Sequence, residues 1–352
     1  MSAIRTLAVA ALIGTCASPA LAQAPAAKDA ALVVGDYLKA EQSVGMGQHK
    51  RVAIASFVLQ LVRDQGIERD AGSFGMFQGK SATYFVQIRG ADPAVLQSIA
   101  DKLYDNLVAS LKAAGVEVVP QAELDANPQY QEIRKASPQS PQTESLEKGS
   151  GRDKHMAVNV LVTAKGLPLV LYGVDDKKWL PPTMSAVGSL QTVVLGGAQA
   201  AQALQAPLIN VRLTVAMVEP KGKGSFRSSQ FGSMVTKTSS WEFDADVTPR
   251  FVDGGSAVMV HGTVLNGLPS AHNVIRLVKP VAITGLELSS ERGEGGASAR
   301  GSGLLGAIGR AAGGTDKAAD AYVDIDPANF SNSVVVGGTK VVDLFAKALT
   351  AP

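Results

Sequence analysis

The first strong signal along the chain is Arg51 to Val62 (RVAIASFVLQLV), apolar almost throughout and rich in β-branched and aromatic residues, which predicts a buried central strand. Gly66 to Ser81, with Gly72, Gly75 and Gly79, reads as a loop, and Ala82 to Ile88 (ATYFVQI) as a second strand. A helix follows. Asp92 and Pro93 supply an N-cap and a first-turn proline, and Gly115 supplies the stop. Between them Leu96, Ile99, Leu103, Leu107 and Leu111 recur at spacings of three and four, so one face of the helix is buried.

Val116 to Val119 then predicts a short strand, and Gln121 to Ala136 a polar helix or turn. Ser137 to Asp153 is rich in serine, proline, glycine and charge and reads as an exposed flexible loop. Strands are expected at Ala157 to Thr163 and Leu167 to Tyr172, and a helix over the Ala- and Gly-rich Met184 to Gln205, where Gly196 and Gly197 each weaken it by about 1 kcal/mol relative to alanine.

Asn210 to Val218 and Ser240 to Thr248 alternate strictly, as half-buried strands do. Asp253-Gly254-Gly255 is a turn signal, so Trp241 to Val264 is expected to be a hairpin with Ala257 to Val264 as its return strand. Short strands are expected at Asn273 to Val278 and Val281 to Leu288. Glu291 to Lys317 is too rich in glycine to hold one structure without a partner. The chain closes with a strand at Ala321 to Ile325, a turn at Asp326-Pro327 and a helix from about Thr339 to Leu349 that buries Val341, Val342, Phe345 and Leu349. The predicted class is α+β: a mixed, largely antiparallel sheet covered by helices, with one long β-hairpin and a glycine-rich flexible insert.

The amino terminus changes the setting. Arg5, an apolar run from Leu7 to Ile13 and the ending Ala20-Leu21-Ala22 form an export signal, with cleavage expected after Ala22 and a mature chain from Gln23. The apolar run is about half of the roughly 20 residues that span a bilayer. Cys16 invites lipidation, but Ile13 stands where a leucine is wanted and Thr15 precedes the cysteine. With Cys16 removed, the mature protein can form no disulfide or thiolate metal site. The expected organisation is a signal peptide (1–22), a linker (23–50) and a single domain (51–352) with flexible loops at 137–153 and 291–317. The 33 Lys+Arg against 31 Asp+Glu give no basic excess for nucleic acid.

Candidate chemistry is sparse. Gly301-Ser302-Gly303-Leu304-Leu305-Gly306 matches the dinucleotide fingerprint but follows no hydrophobic strand, and Gly337-Gly338-Thr339-Lys340 lacks phosphate-loop spacing. No Gly-x-Ser-x-Gly elbow occurs. His49, His155, His261 and His272 stand apart, with no pair at metal-ligand spacing. Glu242, Asp244 and Asp246 share one strand face, but positions two apart lie about 7 Å from each other, too far to converge on calcium without a loop. No catalytic, cofactor-binding or metal-binding residue is assigned. The same hairpin, 241–264, also has the alternation of a membrane β-hairpin, although a half-buried soluble sheet accounts for it.

RVAIASFVLQLV followed by SIADKLYDNLVASLKAAGVEVVPQAEL resembles the core of the curli-secretion-channel family and of the amino-terminal domain of the Tol translocation protein. In these, a strand leads to a Leu-x-x-x-Leu helix, a Gly-x-x-Val-Val strand and an acidic-leucine helix. The resemblance covers Arg51 to about Leu124, with Asn210 to Gly224 as the later strand and turn. It implies a non-enzymatic periplasmic protein that supports an envelope assembly or secretion system, with a protein partner or self-association. A convincing lipidation cysteine is lacking and the insert at 291–317 is additional. Two other functions stay open: a binding protein for an apolar small molecule held between the sheet and Met184 to Gln205, and a ring-forming outer-membrane component.

Overall fold

The computed structural model describes residues 32–40, 50–70, 81–148, 153–170, 195–231, 234–262, 264–265, 268–269, 273–292, 308–312 and 317–351. The expected signal peptide, Cys16, His49, His272 and Gly301 to Gly306 lie outside them, as do most of 167–194 and the middle of the glycine-rich insert.

The architecture is mixed α/β, built on one 14-stranded sheet. At its centre is β2 (Arg51–Asp70), buried from Val52 through Val62 on both faces, which is why its sequence is apolar almost without interruption. On one edge β2 pairs antiparallel with β6 (Asp153–Thr163), whose outer neighbour is β5 (Gln142–Lys148). On the other edge it pairs parallel with β7 (Leu208–Phe231) as far as Val62 opposite Ala216, after which β3 (Ser81–Arg89) takes its place from Asp64 opposite Gln87. The sheet forks there. Beyond β3 lie β14 (Leu288–Arg292) and β16 (Lys317–Ile325) in the order β3-β16-β14, and β7 continues with β8 (Met234–Phe251).

One face carries Phe57, Leu59, Leu61, Val160, Val162, Val211, Leu213 and Val215, in one cluster with α2 (Pro93–Ala113) and α6 (Pro327–Thr350). The leucine stripe predicted for α2 is fully buried there. On the other face Ala53, Ala55 and Leu208 pack with α3 (Gln121–Ala126), α4 (Pro128–Ala136) and the helix 195–204 (α5), which contributes Ala200, Ala201 and Leu204.

Several expectations need correction. Trp241 to Val264 is not a hairpin: β8 and β9 (Ala257–His261) both run antiparallel to β7, β8 along Val215–Phe231 and β9 along Leu208–Arg212. Asp253-Gly254-Gly255 therefore forms a bulged step between two collinear strands, fixed by Val252 N–H to Thr214 O (2.8 Å) and Gly254 N–H to Leu277 O (2.7 Å). The true hairpin is β7–β8. Asp326-Pro327 is a helix start, not a turn, since the Asp326 carboxylate accepts from Asn329 N–H (2.7 Å) and α6 runs twelve residues earlier than expected, from 327 instead of 339. The glycine pair Gly337-Gly338 within this helix lets it approach its neighbours: a Cβ on Gly338 would lie 2.7 Å from Leu103 and 3.0 Å from Phe251. β2 likewise extends through the expected loop to Asp70, with Gly66 opposite Phe85, whose ring would meet a Gly66 Cβ at 2.7 Å.

The expected loop 137–153 contains β5. The expected linker 23–50 contains a helical turn (Val34–Tyr37, α1) and β1 (Leu38–Ala40), which pairs with β12 (Asn273–Leu277) and so ties this segment to the sheet. Val281 to Leu288 is strand only at β13 (Val281–Ala282) and its last residue. Part of the insert 291–317 is ordered as β15 (Ile308–Ala312), which pairs with β8, and the start of β16. Asp92 occupies the N-cap of α2 as expected, yet its side chain makes no capping hydrogen bond.

Candidate functional site

Two features stand out from the packed core. The first follows from topology. β2 ends at Asp70 where β3 begins, β5 ends at Lys148 where β6 begins, β7 ends at Phe231 where β8 begins, and β14 ends at Arg292 opposite Ala321 of β16. Because β6 and β3 run antiparallel to β2, β7 runs parallel to it and β16 parallel to β3, all these strand ends lie at one end of the sheet. The opposite end holds β4 (Glu117–Val118), paired with Arg51 and Val52, where α2 returns to the sheet.

At the hairpin end β7 and β8 continue beyond the last β2–β7 pair as a ribbon from Glu219 opposite Asp246 to Phe231 opposite Met234. At roughly 3.3 Å per residue it is about 40 Å long. Its register sets Lys221 opposite Asp244 and Lys223 opposite Glu242 on one face, and Gly222 opposite Phe243 and Gly224 opposite Trp241 on the other. The register partners of the acidic row Glu242, Asp244 and Asp246 are Lys223, Lys221 and Glu219.

The second feature is a polar diagonal across the sheet face opposite α2 and α6. Arg212 donates through Nε to Gln60 Oε1 (3.0 Å), and its Nη2 donates to the same oxygen. The Thr214 hydroxyl donates to Gly255 O (2.7 Å) and lies 3.2 Å from Gln60 Oε1. Gln60 Nε2 in turn donates to Asn159 Oδ1 (2.9 Å). Asn159 stands directly opposite Glu144 on β5, and Gln142 Nε2 donates to Glu144 Oε1 (3.3 Å). All of these residues except the half-buried Gln142 are buried. Burial raises the affinity of the Glu144 carboxyl for its proton, and the positive charge of Arg212 opposes that shift.

This diagonal was not singled out from sequence, although its signal is present: Asn210, Arg212 and Thr214 interrupt β7 at alternate positions, as Gln60 interrupts β2 and Asn159 interrupts β6. Among the histidines, His155 is exposed on β6, whereas His261 is buried in β9 beneath α5, its ring 3.4 Å from where a Gly197 Cβ would stand. Gly337 to Lys340 lie inside α6, so their backbone amides serve the helix and not a phosphate. Among the described residues no group of three or more His, Cys, Asp or Glu is placed to hold a metal ion, and no helix is long and apolar enough to cross a membrane.

Comparison with known protein families, with curated proteins and with solved structures finds no match to this chain.

Proposed function

We propose that the chain is a non-enzymatic periplasmic protein that supports an envelope assembly, and that it engages its partner through the β7–β8 ribbon. The observation that carries this reading is the ribbon itself: it runs about 40 Å beyond the last β2–β7 pair and outlasts β2 by about seven residues, at the end of the sheet where the strand ends gather. β15 adds a third strand only along Ser240 to Phe243 of β8, and the two-stranded remainder is marginal by itself in water, so it acquires lasting order by pairing with something else. The polar diagonal does not suit an apolar ligand, and α5 packs closely on the sheet through Gly197 against His261 and on α4 through Gly196 against Ile133, which weighs against the binding-protein alternative.

The register supports a second reading, membrane association through the same ribbon. Gly222, Gly224, Phe243 and Trp241 share one face, and the paired charges share the other. Replacing residues 221–244 by a two-residue Asn-Gly turn tests both. The shortened protein is expected to keep its cooperative thermal unfolding and to lose co-sedimentation with the cell envelope. Flotation of the full chain with phospholipid vesicles then separates a lipid contact from a protein contact. Undiminished envelope association of the shortened protein would overturn the assignment of the ribbon.

A further inference from the structure

We infer that Gln142, Glu144 and Asn159 form a buried site for a single water molecule, which completes a hydrogen-bonded relay from Arg212 to Glu144 across β7, β2, β6 and β5. The relay is continuous in protein atoms from Arg212 through Gln60 to the Asn159 carbonyl oxygen. There it stops. Asn159 is fully buried and its Nδ2 donor finds no protein acceptor. Gln142 Oε1 is buried and finds no protein donor, although its own Nε2 reaches the Glu144 carboxyl at 3.3 Å. Glu144 and Asn159 are direct cross-strand partners, so an orphaned donor, an orphaned acceptor and a carboxyl gather at one point of the β5–β6 pair.

The hydrogen-bonding inventory decides the ligand. An unpaired buried polar group costs about 1–3 kcal/mol, so two such groups beside a buried carboxyl call for an occupant. A metal ion or an ammonium group would serve the oxygens of Gln142 and Glu144 but would oppose the Asn159 N–H. An anion would serve Asn159 and oppose the acceptor oxygen of Gln142. Water accepts from Asn159 Nδ2 and donates to both Gln142 Oε1 and Glu144, and buried waters characteristically make about three such bonds. The full burial of Asn159 leaves no route for a larger hydroxylated ligand.

The consequence falls on Glu144. Its own strand presents Gln142 beside it; β6 presents Asn159 and Leu161, β2 presents Gln60 and Val62, and β7 presents Thr214 and Arg212. Arg212, at the far end of the relay, is the one charged group among these. Burial therefore moves this carboxyl toward its neutral form, and the distant Arg212 charge opposes that shift. Because the folded-state affinity for the proton is raised, Glu144 stabilises the fold in acid, and this contribution is lost as pH rises through the folded-state pKa, above the ordinary carboxylate range.

The test uses the full-length folded protein. A high-resolution crystal structure is expected to show one water within hydrogen-bond distance of Asn159 Nδ2, Gln142 Oε1 and the Glu144 carboxyl. The difference in thermal stability between wild type and Glu144→Gln is expected to change from about pH 5 to about pH 8, with the variant gaining relative to wild type as pH rises. Side-chain carboxyl NMR of the wild-type protein, which depends on no variant folding, is expected to show Glu144 titrating above the other glutamates. A direct Asn159–Glu144 hydrogen bond, an ion in place of the water, or a Glu144 that titrates with the exposed carboxylates would overturn the inference.

Discussion

Strand β7 passes through two environments. From Leu208 to Val218 every residue is buried, between β2 on one side and β8 and β9 on the other, with helices over the sheet. From Glu219 to Phe231 its strand partner among the described residues is β8 alone. The composition changes at the same point. NVRLTVAMV gives way to EPKGKGSFRSSQF, where Pro220 removes a backbone donor and Lys221 and Lys223 discourage indiscriminate edge pairing. One strand thus serves the core with its first half, and its second half is the segment proposed for partner contact, a reading that places stability and recognition on separable segments.

Substitutions along this strand and its neighbours sharpen the contrast. The largest loss is expected from Leu213→Ala, which empties a fully buried position facing α2 and α6 and should cost about 2–5 kcal/mol in denaturant unfolding. Gln60→Ala removes the oxygen that holds the Arg212 guanidinium and the donor to Asn159, for an expected loss of about 1–3 kcal/mol in the same measurement. The two aspartates at helix starts should then separate. Asp326→Ala deletes a real capping bond at α6 and should cost about 0.5–2 kcal/mol, whereas Asp92→Ala at α2 should cost less because no such bond is made. At the small end, Lys221→Ala on the ribbon is expected to cost about 0.2–1 kcal/mol, the range of one cross-strand pair. A ribbon substitution as damaging as Leu213→Ala would merge the two halves of β7 into one structural unit.

Much of the base of the molecule is legible in the chain. The Leu96-to-Leu111 stripe marks the buried face of α2, and the unbroken apolar run after Arg51 marks a strand covered on both sides, because burial acts on each residue directly. Features that depend on distant residues are hidden. Asp253-Gly254-Gly255 has the same composition whether the chain reverses or steps along one neighbour. What selects the step is pairing with Thr214 and Leu277, and Gly254 supplies the positive φ of 73° in either case. Gly337 and Gly338 show their use only once Leu103 and Phe251 are placed against them. The polar diagonal is visible only as interruptions in three separate strands, since the partnership of Gln60 with Asn159 and Arg212 is made by register and not by sequence proximity.

The most direct test of the ribbon as the contact surface is photo-crosslinking in intact cells, with the reactive group placed either at Ser228 on the ribbon or at Lys102 on the exposed side of α2. The account predicts a discrete crosslinked product from position 228 and none from position 102; product from 102 with none from 228 would contradict it.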